Sequence, residues 1–329
     1  MRVALAMLAL LALLRPAAAQ PVTLKLSHFL GPASFFQTDF AEPWARELEA
    51  RTGGRVRVEI FNGASPLGGV GAQAEQVLRG ETDIALGLRG AEGERFPRSG
   101  IIELPFTVSD ALSGSRALWR LHRDGALGDE FGAFKLLALF VHNPGLVHTA
   151  RKRVVTPEDI RGLRLRAPNK AAAEALASIG ALPAILQVNE VMPAVVEGRL
   201  DGIVTNWGNP LPGFNDAMKH HTDLGFYTSA FFVVMNKARF AALPADIREA
   251  IEAQSNEALV DRFGMLWSKW DAPVREGANA PGHEVTVPDA ATLALWRAAL
   301  RPVAERYLAG LVAGGFTDAP AVHARLLAR

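Results

Sequence analysis

The sequence predicts an α/β protein folded into two lobes. Three observations carry that reading. The chain has 329 residues, more than a single hydrophobic core usually serves. Strand and helix signals alternate over its N-terminal part, the βαβ signature of a parallel sheet with right-handed crossovers. A second alternation begins near residue 145 with no Gly/Ser-rich linker before it, so the chain is expected to cross between the lobes more than once and to hinge there.

Composition removes several function classes. Hydrophobic residues make up 49% and charged residues 21%, which excludes disorder over most of the length. Lys and Arg number 35 against 34 Asp and Glu, so the basic excess of a nucleic-acid binder is missing. Cysteine is absent, which rules out disulfides, thiolate metal sites and a cysteine nucleophile.

The elements follow in order. Arg2, the apolar run Val3 to Leu14 and the small residues Ala17-Ala18-Ala19 read as a secretory signal peptide over residues 1–19. The run is too short to span a bilayer, which needs about 20 residues. Val22, Leu24 and Leu26 alternate with Thr23, Lys25 and Ser27, the period of a half-buried strand. Gln37 to Arg51 reads as a helix stopped by Gly53-Gly54, with Pro43 kinking it or marking a late start. Val56, Val58 and Ile60 mark a second strand, Val70 to Leu78 a helix ended by Gly80, and Asp83 to Leu88 a third strand. In the second unit Thr156-Pro157 opens a helical turn, and Leu163 and Leu165 alternate with Arg164 and Arg166 on a short strand ended by Pro168. Asn169 caps an alanine-rich helix that stops at Gly180, and Asn189 caps another that stops at Gly198. Leu200 to Val204 and Thr228 to Met235 are strands. From Ala245 onward Ile247, Ile251, Leu259, Phe263, Leu266 and Trp270 predict one long helix able to reach across both lobes.

Few motifs carry chemistry. Gly69-Val70-Gly71-Ala72-Gln73-Ala74 fits GxGxxA but lies too far beyond the preceding strand, and Asp83 starts the next strand instead of ending it, so it reads as a loop. His220-His221 with Asp223 read as polar residues on the surface, since adjacent histidines diverge in most backbones. No HExxH or GxSxG spacing occurs. The sharper signal is Leu163-Arg164-Leu165-Arg166-Ala167-Pro168. An arginine at the C-terminal end of a strand points into the crevice where α/β folds bind ligands, and its planar fork suits a carboxylate.

The surrounding sequence resembles the substrate-binding proteins of TRAP transporters, the DctP family. The resemblance is carried by Thr156-Pro157-Glu158-Asp159 through Gly162 to Pro168, by Leu176 to Pro183, and by Asn189-Glu190-Val191 with Glu197-Gly198-Arg199-Leu200-Asp201-Gly202. Arg51 to Val56, Pro66-Leu67-Gly68-Gly69, Gly80 to Ala85, Glu103-Leu104-Pro105-Phe106, Met235-Asn236-Lys237 and Leu243-Pro244 extend it in order over residues 22 to 270. It implies a two-lobed periplasmic binding protein, with residues 20–144 and 231–272 in lobe I and 145–230 and 273–329 in lobe II. Crossing strands and a long helix join the lobes, which trap an organic acid by closing.

The resemblance assigns the ligand carboxylate to Arg166, with Arg164 second on alternation alone. Many relatives carry a further arginine soon after a glycine in the first interlobe strand; here Gly145 is followed by Leu146 and Val147, which favours a monocarboxylate over a dicarboxylate. Where others have an Asn-Pro pair, this chain reads Thr205-Asn206-Trp207-Gly208, so Trp207 is expected as an aromatic wall. Phe231 and Phe96 would add to it, and Asn143 and His28 would offer polar contacts. The expectation is therefore a receptor and not an enzyme, with no cofactor or metal. It would deliver an aromatic, oxo or hydroxy acid to the small and large membrane subunits of a permease. A periplasmic sensing module and a secreted enzyme acting on an organic acid are the alternatives.

Overall fold

Two mixed sheets form where the alternating segments fall. The computed structural model describes residues 21–186, 188–208, 211 and 213–328, so the predicted signal peptide lies outside the described residues. Strands β1 (Val22–His28), β2 (Val56–Phe61) and β3 (Ile84–Leu88) pair in parallel, and β4 (Phe134–Val141) closes the first lobe's open edge only through a later strand. Strands β5 (Gly145–Thr149), β6 (Arg164–Ala167), β7 (Leu182–Ile185), β8 (Gly202–Thr205) and β9 (His220–Tyr227) build the second sheet. Strand β10 (Ala230–Asn236) then returns to the first lobe, antiparallel between β3 and β4, and β11 (Glu284–Thr286) edges the second. The orders are β2-β1-β3-β10-β4 and β11-β9-β5-β8-β6-β7.

Local chemistry sets the helix ends. Pro43 occupies the first turn of the helix Glu42–Arg51, where its missing N–H is not needed, and Phe36–Ala41 before it winds as a π-turn. The late start is thus realised. Gly80, at φ 70°, ends Gln73–Arg79 in the left-handed region open to glycine. The Asn169 side chain accepts from the Ala172 N–H and starts Lys170–Ser178. The segment Thr156–Asp159 forms a reciprocal capping box on a short 3₁₀ turn.

The single long helix expected from Ala245 is two helices, Ala245–Glu252 and Asn256–Gly277. Ser255 turns its hydroxyl back to the Ile251 carbonyl at 2.6 Å, and Asn256 sits at φ 59°. Both residues compete with the helical backbone through their side chains, and together they break it. The second helix alone, 22 residues, still spans about 33 Å.

Each lobe has its own core. Trp44, Phe96, Phe140, Phe232 and Phe263 lie in the first, Leu165, Leu176, Phe226 and Trp296 in the second. The chain passes between the lobes after β4, after β9 and after the helix Asn256–Gly277. It passes once more within the helix Ala290–Ala313. Trp296, Leu300 and Val303 of that helix pack on the second core, whereas Ala304 and Leu311, followed by Ala319, Val322 and Leu326, pack on the first. The expected assignment of 273–329 to lobe II therefore fails beyond Val303, because this helix is long enough to leave one core and reach the other.

Candidate ligand-binding site

Strand β6 decides which arginine faces the ligand. It lies inside the second sheet, parallel to β7 and β8. Arg164 sits at its solvent end and is neutralised by Asp201, with Nη2 2.6 Å from Oδ1. Two residues on, Arg166 reaches the C-terminal end of the strand and a cavity of about 380 Å³ between the lobes. It is only 6% exposed, its Nε atom has no hydrogen-bond partner, and no carboxylate pairs with it among the described residues. Burial pulls its guanidinium below the ordinary arginine value, against the opposing pull of the nearby Tyr227. Among the described residues that line the cavity, Arg166 alone is charged at neutral pH.

The walls are aromatic. Lobe I contributes the loop Phe29 to Phe36 and Phe231, the interlobe helix contributes Trp267 and Trp270, and lobe II contributes Pro168, Thr205, Asn206 and Tyr227. Phe35 stacks on Trp270 with centroids 5.7 Å apart, and Phe36 meets Trp267 edge-on at 5.5 Å. Phe231 lies 5.9 Å from Trp267. Burial pushes the Tyr227 phenol up, while Arg166 and a hydrogen bond with the Thr205 side chain pull it down. The Tyr227 ring fills the space a Cβ would take on Gly145, so glycine is required there for the ring to lie beside Arg166.

Arg166, Thr205, Asn206 and Phe231 are brought together at the cavity, and four other expected residues are not. Phe96 is fully buried in the first core, stacked on Phe131 at 4.4 Å. Asn143 is spent on structure: its Oδ1 accepts from the Ala111 N–H at 2.7 Å and its Nδ2 donates to Asp271 at 2.8 Å. His28 is buried and donates from Nε2 to Gln37 at 2.8 Å while Nδ1 accepts from the Leu30 N–H. It holds the aromatic loop in place and does not line the cavity. Trp207 turns the other way from its neighbours Asn206 and Gly208, toward a groove of about 970 Å³ behind the hinge. Its ring packs against His148 at 5.0 Å and His221 at 5.1 Å.

His221 is another correction. His220 is half-buried beside Glu284, but His221 is fully buried in a chain of imidazoles. His148 Nε2 donates to the Thr205 carbonyl at 3.3 Å, His221 Nδ1 donates to His148 Nδ1 at 2.8 Å, and His283 Nδ1 donates to His221 Nε2 at 3.1 Å. Lys219 completes the series by donating to His283 at 3.4 Å. One set of neutral tautomers satisfies every link. Burial lowers His148 to about 3 and His221 to about 4, so both are neutral at pH 7. Among the described residues no group of three or more His, Asp or Glu side chains is arranged to hold a metal ion.

Tyr227, Trp267 and the Phe35-Phe36 pair escaped the sequence reading. The phenylalanine pair carried a usable signal, because it follows a parallel strand, where the crevice of an α/β sheet opens. Trp267 shares the stripe of Phe263 and Trp270, and a stripe does not reveal which of its members borders a cavity.

Two lobes around a cavity that presents one buried, unpaired guanidinium define a solute-binding protein for an anion. The chain belongs to the family described as bacterial extracellular solute-binding protein, family 7 (DctP), which matches residues 26–310. Among solved structures it is similar to a TRAP solute-binding protein from Rhodoferax ferrireducens in complex with copurified benzoate. That match has 29% identity and a TM-score of 0.83 and covers 93% of this chain and 98% of that one. A TRAP solute-binding protein of a marine metagenome, specific for aromatic acid ligands and holding metahydroxyphenylacetate, matches with 27% identity and a TM-score of 0.87 over 93% and 98% of the two chains. Among curated proteins the outer membrane transporter protein TsaT of Comamonas testosteroni is 29% identical over 80% of this chain and 79% of its own.

Proposed function

We propose that this protein is the periplasmic receptor of a TRAP transporter for an aromatic monocarboxylate. The lobes would close on the acid and the closed form would deliver it to the membrane permease. The observation that carries this reading is Arg166, a nearly buried cation with no carboxylate partner among the described residues, in a cavity walled by rings. A buried charge is costly unless it is paired, so the partner it lacks is supplied by the ligand. A single cation suits one carboxylate. Trp270, Phe35, Phe231 and Trp267 give a ring apolar surface and edge-to-face contacts worth about 0.5–1.5 kcal/mol each beyond burial. The relatives that bind benzoate and metahydroxyphenylacetate support the same ligand class.

The test is a titration calorimetry panel of benzoate, 3-hydroxybenzoate, mandelate, succinate and galacturonate. Binding confined to the aromatic acids is the expected result. Tight binding of succinate or galacturonate with no aromatic hit would overturn the assignment.

A further inference from the structure

The wall between the cavity and the groove behind the hinge is held by one carboxylate. Asp271 lies on the interlobe helix Asn256–Gly277, next to Trp270, and is buried. Its Oδ1 accepts from Asn206 Nδ2 at 3.0 Å and its Oδ2 accepts from Asn143 Nδ2 at 2.8 Å. It also accepts from the backbone N–H of Gly208. These donors come from different parts of the molecule. Asn143 stands on the crossing between β4 and β5, whereas Asn206 and Gly208 follow β8 and line the cavity in lobe II. The helix itself packs on the first lobe through Leu259, Val260, Phe263 and Trp267.

A second feature points the same way. A Cβ on Gly208 would collide with Asp271 Oδ1. The loop therefore reaches the carboxylate with bare backbone, a closeness that any side chain would prevent.

We propose that Asp271 is a positioning residue for ligand capture: it ties the lobe II cavity loop, through Asn206 and Gly208, to the lobe I helix that carries Trp270. The tether sets the distance between the polar and the aromatic walls of the site. Asp271 engages one of the two Nδ2 hydrogens of Asn206, which fixes the amide and leaves its second N–H and its carbonyl oxygen for a ligand. That oxygen has no protein donor among the described residues. This extends the aromatic-acid reading above and rests on it for the choice of ligand.

The experiment has two arms. The first is hydrogen exchange of ligand-free protein. The amides of 206–208 should exchange at least tenfold faster in Asp271→Ala than in wild type, with β6 and β10 unchanged. Equal rates at 206–208 would overturn the tether whatever the ligand is. The second is a double-mutant cycle for benzoate affinity with Asp271→Ala and Asn206→Ala. Each single variant should weaken binding about tenfold, mainly through faster dissociation, and the double variant about tenfold as well. Independent, multiplied losses, or unchanged affinity in folded Asp271→Ala, would refute action through Asn206. If Asp271→Ala does not fold, Gly208→Ala displaces the loop while sparing the carboxylate and should give the same loss. Wild type that ignores every aromatic acid would defeat the ligand reading alone, leaving the exchange arm to decide the tether.

Discussion

Replacing Arg166 with methionine should move folding and binding in opposite directions. The guanidinium is buried with no carboxylate beside it among the described residues, so the ligand-free fold carries an uncompensated desolvation penalty. Methionine fills much of the same volume without charge. Exchanging buried charges for apolar groups stabilises proteins by about 1–4 kcal/mol, and the water-accessible cavity places this site near the lower end, about 1–2 kcal/mol. Binding loses the only charge that faces the ligand among the described residues. Truncating a buried charge pair costs about 2–5 kcal/mol, a Kd increase of about 30-fold to several-thousand-fold. Thermal denaturation separates the two effects. At a ligand concentration of 100 Kd, wild type gains about 2.7 kcal/mol, whereas a variant weakened 30-fold gains less than about 1 kcal/mol at the same concentration. The expected record is a higher Tm without benzoate and a nearly vanished shift with it. A variant less stable than wild type when unliganded, or one whose Kd stays within threefold, would refute the argument.

Other outcomes follow from the same geometry. Phe96→Ala should lose about 3–5 kcal/mol of stability, measured by urea denaturation, while ligand affinity of the folded fraction stays unchanged, because the ring belongs to the core. Ligand-induced quenching of tryptophan fluorescence should persist in Trp207→Phe and largely disappear only when Trp267 and Trp270 are both replaced by phenylalanine, since those two rings border the cavity and Trp207 does not. Gly145→Ala should drive the Tyr227 ring toward Arg166, lowering stability by about 1–3 kcal/mol and weakening the ligand in calorimetry. Stability should fall as the solution is acidified from pH 6.5 toward 4. His142 is neutral in the fold, with burial lowering it to about 4, so below pH 6.5 the unfolded chain takes up a proton the fold refuses. The slope is about 1.4 kcal/mol per pH unit for this residue, and His148 and His221 add to it. A flat Tm between pH 6.5 and 5 would contradict the buried, neutral histidines.

Local pattern made much of the frame legible. Alternation located β1, β2 and β6, and Gly80 and Asn169 marked helix ends because φ preference and capping are properties of a few neighbouring residues. The same alternation put Arg164 and Arg166 on one side of a strand but could not say that Asp201 neutralises the first and leaves the second bare. That depends on which strand pairs with β6. Trp207 failed for a related reason. Its motif was informative, yet facing the cavity or the groove is decided by a single step in a loop, and the Asp271 contacts that fix Asn206 and Gly208 come from 65 residues away in sequence for Asn206. Aromatic residues such as Phe96 and Phe231 look alike along the chain; only packing separates a core ring from a wall.

The strand order of the first lobe also governs how the chain acquires its structure. Strand β10 is the piece that joins β3 to β4, and it is made after β5 through β9. Until those later residues are available, the first sheet is two fragments with open edges. The second lobe in turn waits for Trp296 and Leu300 near the C-terminus. Neither lobe can finish alone, so folding is expected as one late, cooperative event dominated by contacts distant in sequence, and therefore slow. A nascent chain of this topology stays pliable until nearly all of it is present.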